Sequence, residues 1–423
     1  MNRLQGRLRA VFAFNVCVVI RVNPQLNRGS VVVAAFVVVA TFAWGLCFYG
    51  LGFYMLKFQS QRGWSLSASS NLILLFYLTA VPAAFVVSKT LARRGPQPVV
   101  AFGAISIGLA LLALSHVHLV WVAVPVYLLL SVGWSCTSVN TISTVILAWY
   151  PNGQRQLALA LVGASIGGII LVPLMSELES QVGLTTALTM LAVVETAIVG
   201  TLALLVLRDP PQVRNALVEG PRDVIAWHLC RDPDYWILAA TLGLGILVQG
   251  GFLMHQMTLL AESLSEQTAA RIVGMATLAA LLGRMGPVII GRRIRAARVG
   301  IIYLLIQATA LLLLSVLPHN TVWLTFTSCL YGLGVGVLIT MPPLLTEATF
   351  PLVPFTAAYP VVNLSWQICL AIGAPLVAVG RTRLDNYDTV MFVSGVGLLA
   401  AVGFAVINDR RVRVKCETWR GST

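Results

Sequence analysis

"ATLAALLGRMGPVIIGRRIR", residues 276–295, decides the fold. Its first sixteen residues carry a single charge, Arg284, and then Arg292, Arg293 and Arg295 follow almost together. An apolar run that ends in a cluster of cations reads as a helix that leaves the hydrocarbon of a membrane at its cytoplasmic surface. The pattern recurs along all 423 residues, which are 58% hydrophobic and only 10% charged. A mean hydropathy of +0.87 lies far outside the range of a soluble globular chain.

Apolar runs of the length needed to cross about 30 Å of hydrocarbon occur at 30–56, 68–88, 98–115, 119–148, 157–176, 185–207, 235–259, 270–290, 299–317, 321–345, 357–379 and 388–407. They are too long and too uniformly apolar for the alternating strands of a membrane barrel, so the chain is an all-α membrane protein of twelve transmembrane helices. The joints "SHVHL" and "PHNT" are short enough to make tight antiparallel hairpins.

The charge of +13 is read through its distribution. With both termini inside, the inner segments carry 22 Lys and Arg, and the outer ones carry five: Lys57, Arg62, Arg271, Arg381 and Arg383. That asymmetry places both ends on the cytoplasmic side and makes the bilayer, expected to be a bacterial inner membrane, and not nucleic acid the partner of the basic residues. Arg3, Arg7 and Arg9 before "AVFAFNVCVVI" resemble the start of a signal peptide, but no small-x-small cleavage site follows and Arg21 interrupts. Residues 1–29 therefore read as a cytoplasmic tail. The seven cysteines form no CxxC pair.

The chain also repeats itself at an offset near 200. "SLS" at 65–67 recurs at 263–265, each leading into a span that ends in an Arg-rich loop, with Arg93 and Arg94 in one and Arg292 and Arg293 in the other. Tyr150-Pro151 matches Phe350-Pro351, while Val162 and Ser165 match Val362 and Ser365. The domains expected are a six-helix half at 30–207, a cytoplasmic linker at 208–234, a second half at 235–407 and a tail at 408–423.

Two parallel six-helix halves with Arg-bearing loops after spans 2 and 8 resemble the major facilitator superfamily over essentially the whole chain. The loop "SKTLARRGP" fits that family's signature at Arg93 and Gly95 but has Ser88 for its glycine and Ala92 for its aspartate. The resemblance implies that Arg93, Arg94, Arg292 and Arg293 form inner-gate loops. Within the superfamily, "GFYMLKFQSQRGWSLSAS" (52–69), "GGFLMHQMTLLAESLS" (250–265) and "GRMGPVIIGRR" (283–293) resemble bacterial members of the monocarboxylate and oxalate:formate transporter group. Span 5, "GASIGGIILVP", lacks the G-P pair of many drug:proton antiporters.

Arg284 is the residue this resemblance puts at the substrate carboxylate. Roughly 12 Å of helix separates it from Arg292, farther than a guanidinium stem snorkels. A charge at that depth costs at least about 2.5 to 3.5 kcal/mol, so protein or a wet cavity must receive it. Its forked donors suit a planar carboxylate; the plain alternative is a structural arginine holding helix ends. The related carriers have an acid one turn earlier, where this chain has Ala280, and span 11 offers no lysine. One cavity cation favours a monoanion over a dianion.

Gln249 and His255 on span 7, Asn140 on span 4, Tyr49 on span 1, and Asn363 and Trp366 on span 11 are further candidates for substrate contact, set against ordinary roles in helix packing. His255 and Glu195 are the candidates for proton coupling, against a solvated histidine and a neutral, hydrogen-bonded acid. His116 and His118 lack a third ligand, so no metal is expected, nor any cofactor. The function expected is a secondary carrier of a small organic monoanion working by alternating access, with a proton or a counter-anion as the coupled species. An efflux carrier for an unrelated small molecule is the alternative; it calls for a cavity carboxylate, and Glu195 is the sole interior acid. No nucleophile–base pair, paired acids or HExxH box lies within a span, and no soluble segment reaches 30 residues. An enzyme or a receptor is thereby set aside.

Overall fold

The computed structural model describes residues 24–150, 153–207, 226–290, 295–338 and 341–421. Arg292, Arg293, most of the tail at 1–29 and most of the segment at 208–234 lie outside the described residues. Among the described residues, eleven helices are long and apolar enough to cross a membrane, and one bent pair, read as one span, makes a twelfth. They are α1 (Arg28–Arg62), α2 (Leu66–Arg94), α3 (Pro96–His116), α4 (Val120–Trp149), α5 (Gln154–Val182), α6 (Leu184–Leu205), α7 (Pro233–Ala261), α8 (Glu266–Met285), α9 (Ala297–Leu314), α10 (Thr321–Val337 with Met341–Thr349), α11 (Ala357–Leu384) and α12 (Tyr387–Lys415).

Local sequence sets the joints. Gly63, Gly95 and Gly183 have positive φ and close the turns after α1, α2 and α5. Ser65 caps α2 by accepting from the Ala68 amide at 3.1 Å, and Ser265 caps α8 by accepting from Thr268 at 3.3 Å. These serines, 200 positions apart, are the true structural equivalents; the repeated "SLS" string is displaced by two. Ser138 breaks α4 with an extended backbone, and the bend of α10 falls at the matching place.

The packing follows the repeat helix for helix. α1 lies on α5 as α7 lies on α11; α2 on α4 as α8 on α10; α3 on α6 as α9 on α12. Glycines allow the closest of these approaches: Gly332 and Gly336 bring α10 against the carbonyls of Ala276 and Ala280. The two six-helix groups meet through α1 with α7, α2 with α11 and α5 with α8. The last two seams exchange under the repeat, as a pseudo-twofold axis between the groups requires.

Twelve crossings return the chain to the face on which it began, called here the terminal face; the opposite one is the distal face. On the terminal face α12 is tied to the starts of α7 and α9. Asp234 pairs with Arg411 and Lys415, and Asp409 pairs with Arg413 and, at 3.3 Å, with Arg295. The acid missing from the loop after span 8 is thus supplied by α12. Among the described residues, the side-chain bonds and ion pairs that join the groups include Lys57–Glu266 and Ser70–His255. Both lie toward the distal face. The molecule is closed there.

Candidate functional site

Between the groups, α1 and α5 each contain one π-helical turn, Gly45–Tyr49 and Gly167–Leu171, and the two turns pack together. Each wide turn shifts the helix face that follows it, a device common at functional positions. The result is that Tyr49 and Gly168 both meet Thr277 of α8. A Cβ on Gly168 would lie 2.7 Å from the Thr277 methyl and 2.8 Å from the Tyr49 ring. Thr277 cannot easily turn away, because its hydroxyl bonds the Val273 carbonyl at 2.8 Å. Gly168→Ala is therefore expected to wedge the groups apart at a cost of about 1 to 3 kcal/mol and to slow transport while leaving the fold intact. Thermal unfolding together with a flux assay on the purified variant checks this.

Beside this seam is a narrow cavity of about 10 Å³, lined by Tyr49, Phe252, Gln256, Thr277, Ser328 and Tyr331 among others. It has room for roughly one water. Its polar lining is unusual. The Gln256 amide nitrogen, the Ser328 hydroxyl and the Tyr331 hydroxyl are all buried with no hydrogen-bond partner in the protein. Buried donors are normally satisfied, and three orphans around one cavity point to acceptors supplied from elsewhere.

Arg284 continues the same stripe of α8. Thr277, Ala280 and Arg284 are spaced three and four apart, so they share one helix face, with Arg284 roughly 10 Å from Thr277 toward the terminal face. The side chain is half-buried and lies over Gly336 of α10; a Cβ there would come within 2.8 Å of its Nε. That Nε is buried without a hydrogen-bond partner. None of the ion pairs among the described residues involves Arg284. Tyr49 is within its electrostatic reach. Among the described residues, a guanidinium with no counter-ion thus stands on the terminal side of a cavity ringed by unsatisfied donors of α7 and α10.

The sequence profile described as "Major Facilitator Superfamily" matches residues 138–374, more than half of the chain. The chain belongs to the major facilitator superfamily. Among solved structures, it is similar to a point mutant of the nucleoside transporter NupG, with a TM-score of 0.68 at 15% identity, covering 90% of this chain and 99% of that one. It is also similar to a bacterial homolog of the human lysosomal transporter Spinster in an inward-facing, occupied conformation, with a TM-score of 0.66 at 14% identity, covering 92% and 98%. At such identities the likeness is one of fold. No curated protein matches the sequence. A superfamily fold makes the chain a transporter, not an enzyme.

Within this superfamily fold the residues singled out from sequence fall into separate places. Tyr49 lines the cavity near Arg284. Gln249 does not: its side-chain oxygen accepts from Gln307 of α9 at 3.3 Å. His255 is fully buried in the distal seam, bonded through Nδ1 to the Tyr387 hydroxyl at 3.0 Å and through Nε2 to the Ala374 carbonyl at 2.9 Å, with Ser70 of α2 at 3.4 Å. In this conformation it stands apart from Arg284. Asn140 is exposed just after the break in α4, and Asn363 is half-buried and accepts from Tyr359 at 3.5 Å. Trp366 packs between the two apolar cores. Glu195 is buried in α6, where the Thr196 hydroxyl reaches one carboxyl oxygen at 3.3 Å and the other has no partner. Arg93 and Arg94 are exposed at the end of α2.

Sequence reasoning passed over Gln256, Ser328 and Tyr331, whose only signal is their spacing on the stripes that face α8. It also took Lys57 for a cation of an outer loop. The structure corrects this: Lys57 is inside α1, 3% exposed, and pairs with Glu179 and Glu266.

Proposed function

We propose that this transporter carries a small organic monoanion, with Arg284 holding the carboxylate. The observation that carries the reading is a half-buried guanidinium without a counter-ion among the described residues, with donors of α7 and α10 that lack acceptors around the cavity on its distal side. A carboxylate satisfies the fork bidentately, and the remaining donors suit further oxygens on the same small molecule. A second interior cation that would call for a dianion is not found beside it among the described residues. The weak sequence likeness to monocarboxylate and oxalate:formate carriers agrees with this chemistry.

The terminal face carries the basic loops, so the positive-inside rule orients it to the cytoplasm of a bacterial cell. Distal closure then corresponds to the inward-facing half of an alternating-access cycle. Proton coupling belongs to the same proposal, with two groups to serve it. His255 bonds across the distal seam, so its partners change when the seam opens. Glu195 keeps one buried carboxyl oxygen unpartnered.

Uptake into proteoliposomes tests the whole reading. A labelled monocarboxylate is expected to enter faster under an inward proton gradient, and Arg284→Ala is expected to slow entry by about 100-fold, the loss of one charge-assisted pair worth roughly 3 kcal/mol. Entry of monocarboxylates at the rate of protein-free vesicles would remove the anion reading; entry indifferent to the gradient but driven by preloaded anion would replace symport with exchange.

A further inference from the structure

Lys57 sits where two carboxylates converge, and they come from different halves. Glu179 belongs to α5, in the same group of helices as Lys57; Glu266 is the first residue of α8, in the other group. The lysine is 4% exposed on its side chain, Glu179 10% and Glu266 33%. The three therefore differ in how readily each can give up a partner.

Glu179 is fixed. It also accepts from Gln61 at 2.6 Å, a bond between α1 and α5 within one group, and burial makes its charge costly without Lys57. Glu266 is not. Water reaches it, and it lies at a helix N-terminus, where the unpaired amides and the helix dipole favour a negative charge without any lysine. When the groups part at the distal face, Glu266 can leave with α8 while Lys57 keeps Glu179. No bare charge is buried at any stage.

We propose that Lys57 is the distal gate residue of the transport cycle, exchanging a shared hold on Glu179 and Glu266 when the gate is shut for Glu179 alone when it opens. The two acids then act in opposition. Glu179 competes with Glu266 for the same ammonium and so weakens the closure, while Glu266 makes it. Neighbouring charged groups are engaged elsewhere: Arg62 donates to the Ser115 carbonyl at 3.1 Å, Glu262 accepts from Arg381 at 3.0 Å, and Glu177 accepts from Gln181 at 2.8 Å. The device follows from the two-group architecture and holds whatever the substrate, so it stands or falls separately from the anion reading.

Hydrogen exchange read by mass spectrometry on the purified, full-length transporter tests it without labels. Glu266→Gln is expected to raise exchange at the distal ends of α1, α7 and α8 at least severalfold, with the terminal face unchanged. Glu179→Gln is expected to lower exchange at those same segments, because Lys57 then belongs to Glu266 alone. A purely structural ion cluster gives the same sign in both variants, and that result, or no change in either, overturns the proposal. Should Glu179→Gln fail to fold, Glu266→Lys decides: like charges facing Lys57 must raise distal exchange beyond Glu266→Gln, and equal or lower exchange overturns the proposal as well.

Discussion

Replacing Arg284 with methionine is expected to raise the unfolding temperature of the ligand-free transporter while abolishing concentrative uptake. The side chain is half-buried, its Nε has no acceptor, and no acid among the described residues pairs with it. A charge in that setting costs the folded state at least about 2.5 to 3.5 kcal/mol at the helix centre unless water relieves it. Methionine keeps the stem's contacts and removes the charge, so stability should rise by about 1 kcal/mol or more, the usual exchange of stability for function at a binding site. Arg284→Lys is the informative companion. It keeps the charge but not the fork, so uptake should fall by roughly tenfold, the worth of one lost hydrogen bond to a charged group. A structural arginine behaves in the opposite way: methionine lowers the unfolding temperature and uptake declines only in proportion. Scanning fluorimetry and a flux assay on the same preparations separate the two.

Lys57→Met is expected to be the most damaging single change on the distal side. It leaves Glu179 and Glu266 facing one another with no cation between them. Removing one partner of a buried ion pair costs about 3 to 5 kcal/mol, and the lower end applies because water reaches Glu266. The damage should be reversible in a defined way. Lys57→Met combined with Glu179→Gln removes the buried charge that lost its partner, so it should recover most of the lost stability, yet still lack the link between the groups. Unfolding temperatures of the single and double variants form the cycle that isolates this coupling. Recovery by Glu179→Gln with persistent loss of transport supports the gate; equal damage in the single and double variants contradicts it.

What could be read from the sequence was whatever depends on hydropathy, length and spacing. Runs of apolar residues and the bias of basic ones gave the twelve spans and the repeat, and the described helices fall on those spans, though several run five to eight residues past the expected end, as α1 does to Arg62, α2 to Arg94, α5 to Val182, α11 to Leu384 and α12 to Lys415. The α1 extension explains the misreading of Lys57. "KFQSQR" looks like a loop because its polar residues break the apolar run, but the helix continues and the polar side chains bond within it, as Gln59 does to the Met55 carbonyl at 3.0 Å. Arg284 was legible because a lone charge in hydrocarbon is conspicuous. The donors beside it were not, since a buried serine or tyrosine looks the same in sequence whether satisfied or orphaned.

His255 and Gln249 show the same limit from the other side. Each is a polar residue on a helix that lines the centre, and each directs its hydrogen bonds to a neighbouring helix. Which way a helix face turns depends on features such as the π turns at Gly45–Tyr49 and Gly167–Leu171, which have no sequence signal beyond nearby glycines. The carboxylate for the loop after span 8 comes from Asp409, more than a hundred residues away, and only the packed structure brings it to Arg295.

Whether Arg284 binds the substrate carboxylate is decided by a thermal-shift screen of small mono- and dicarboxylates on the wild type, Arg284→Ala and Arg284→Lys. At least one monocarboxylate is expected to raise the unfolding temperature of the wild type, to raise that of Arg284→Lys only at roughly tenfold higher concentration, and to leave Arg284→Ala unmoved. A ligand that stabilises all three proteins equally would contradict that binding role and make Arg284 a structural residue.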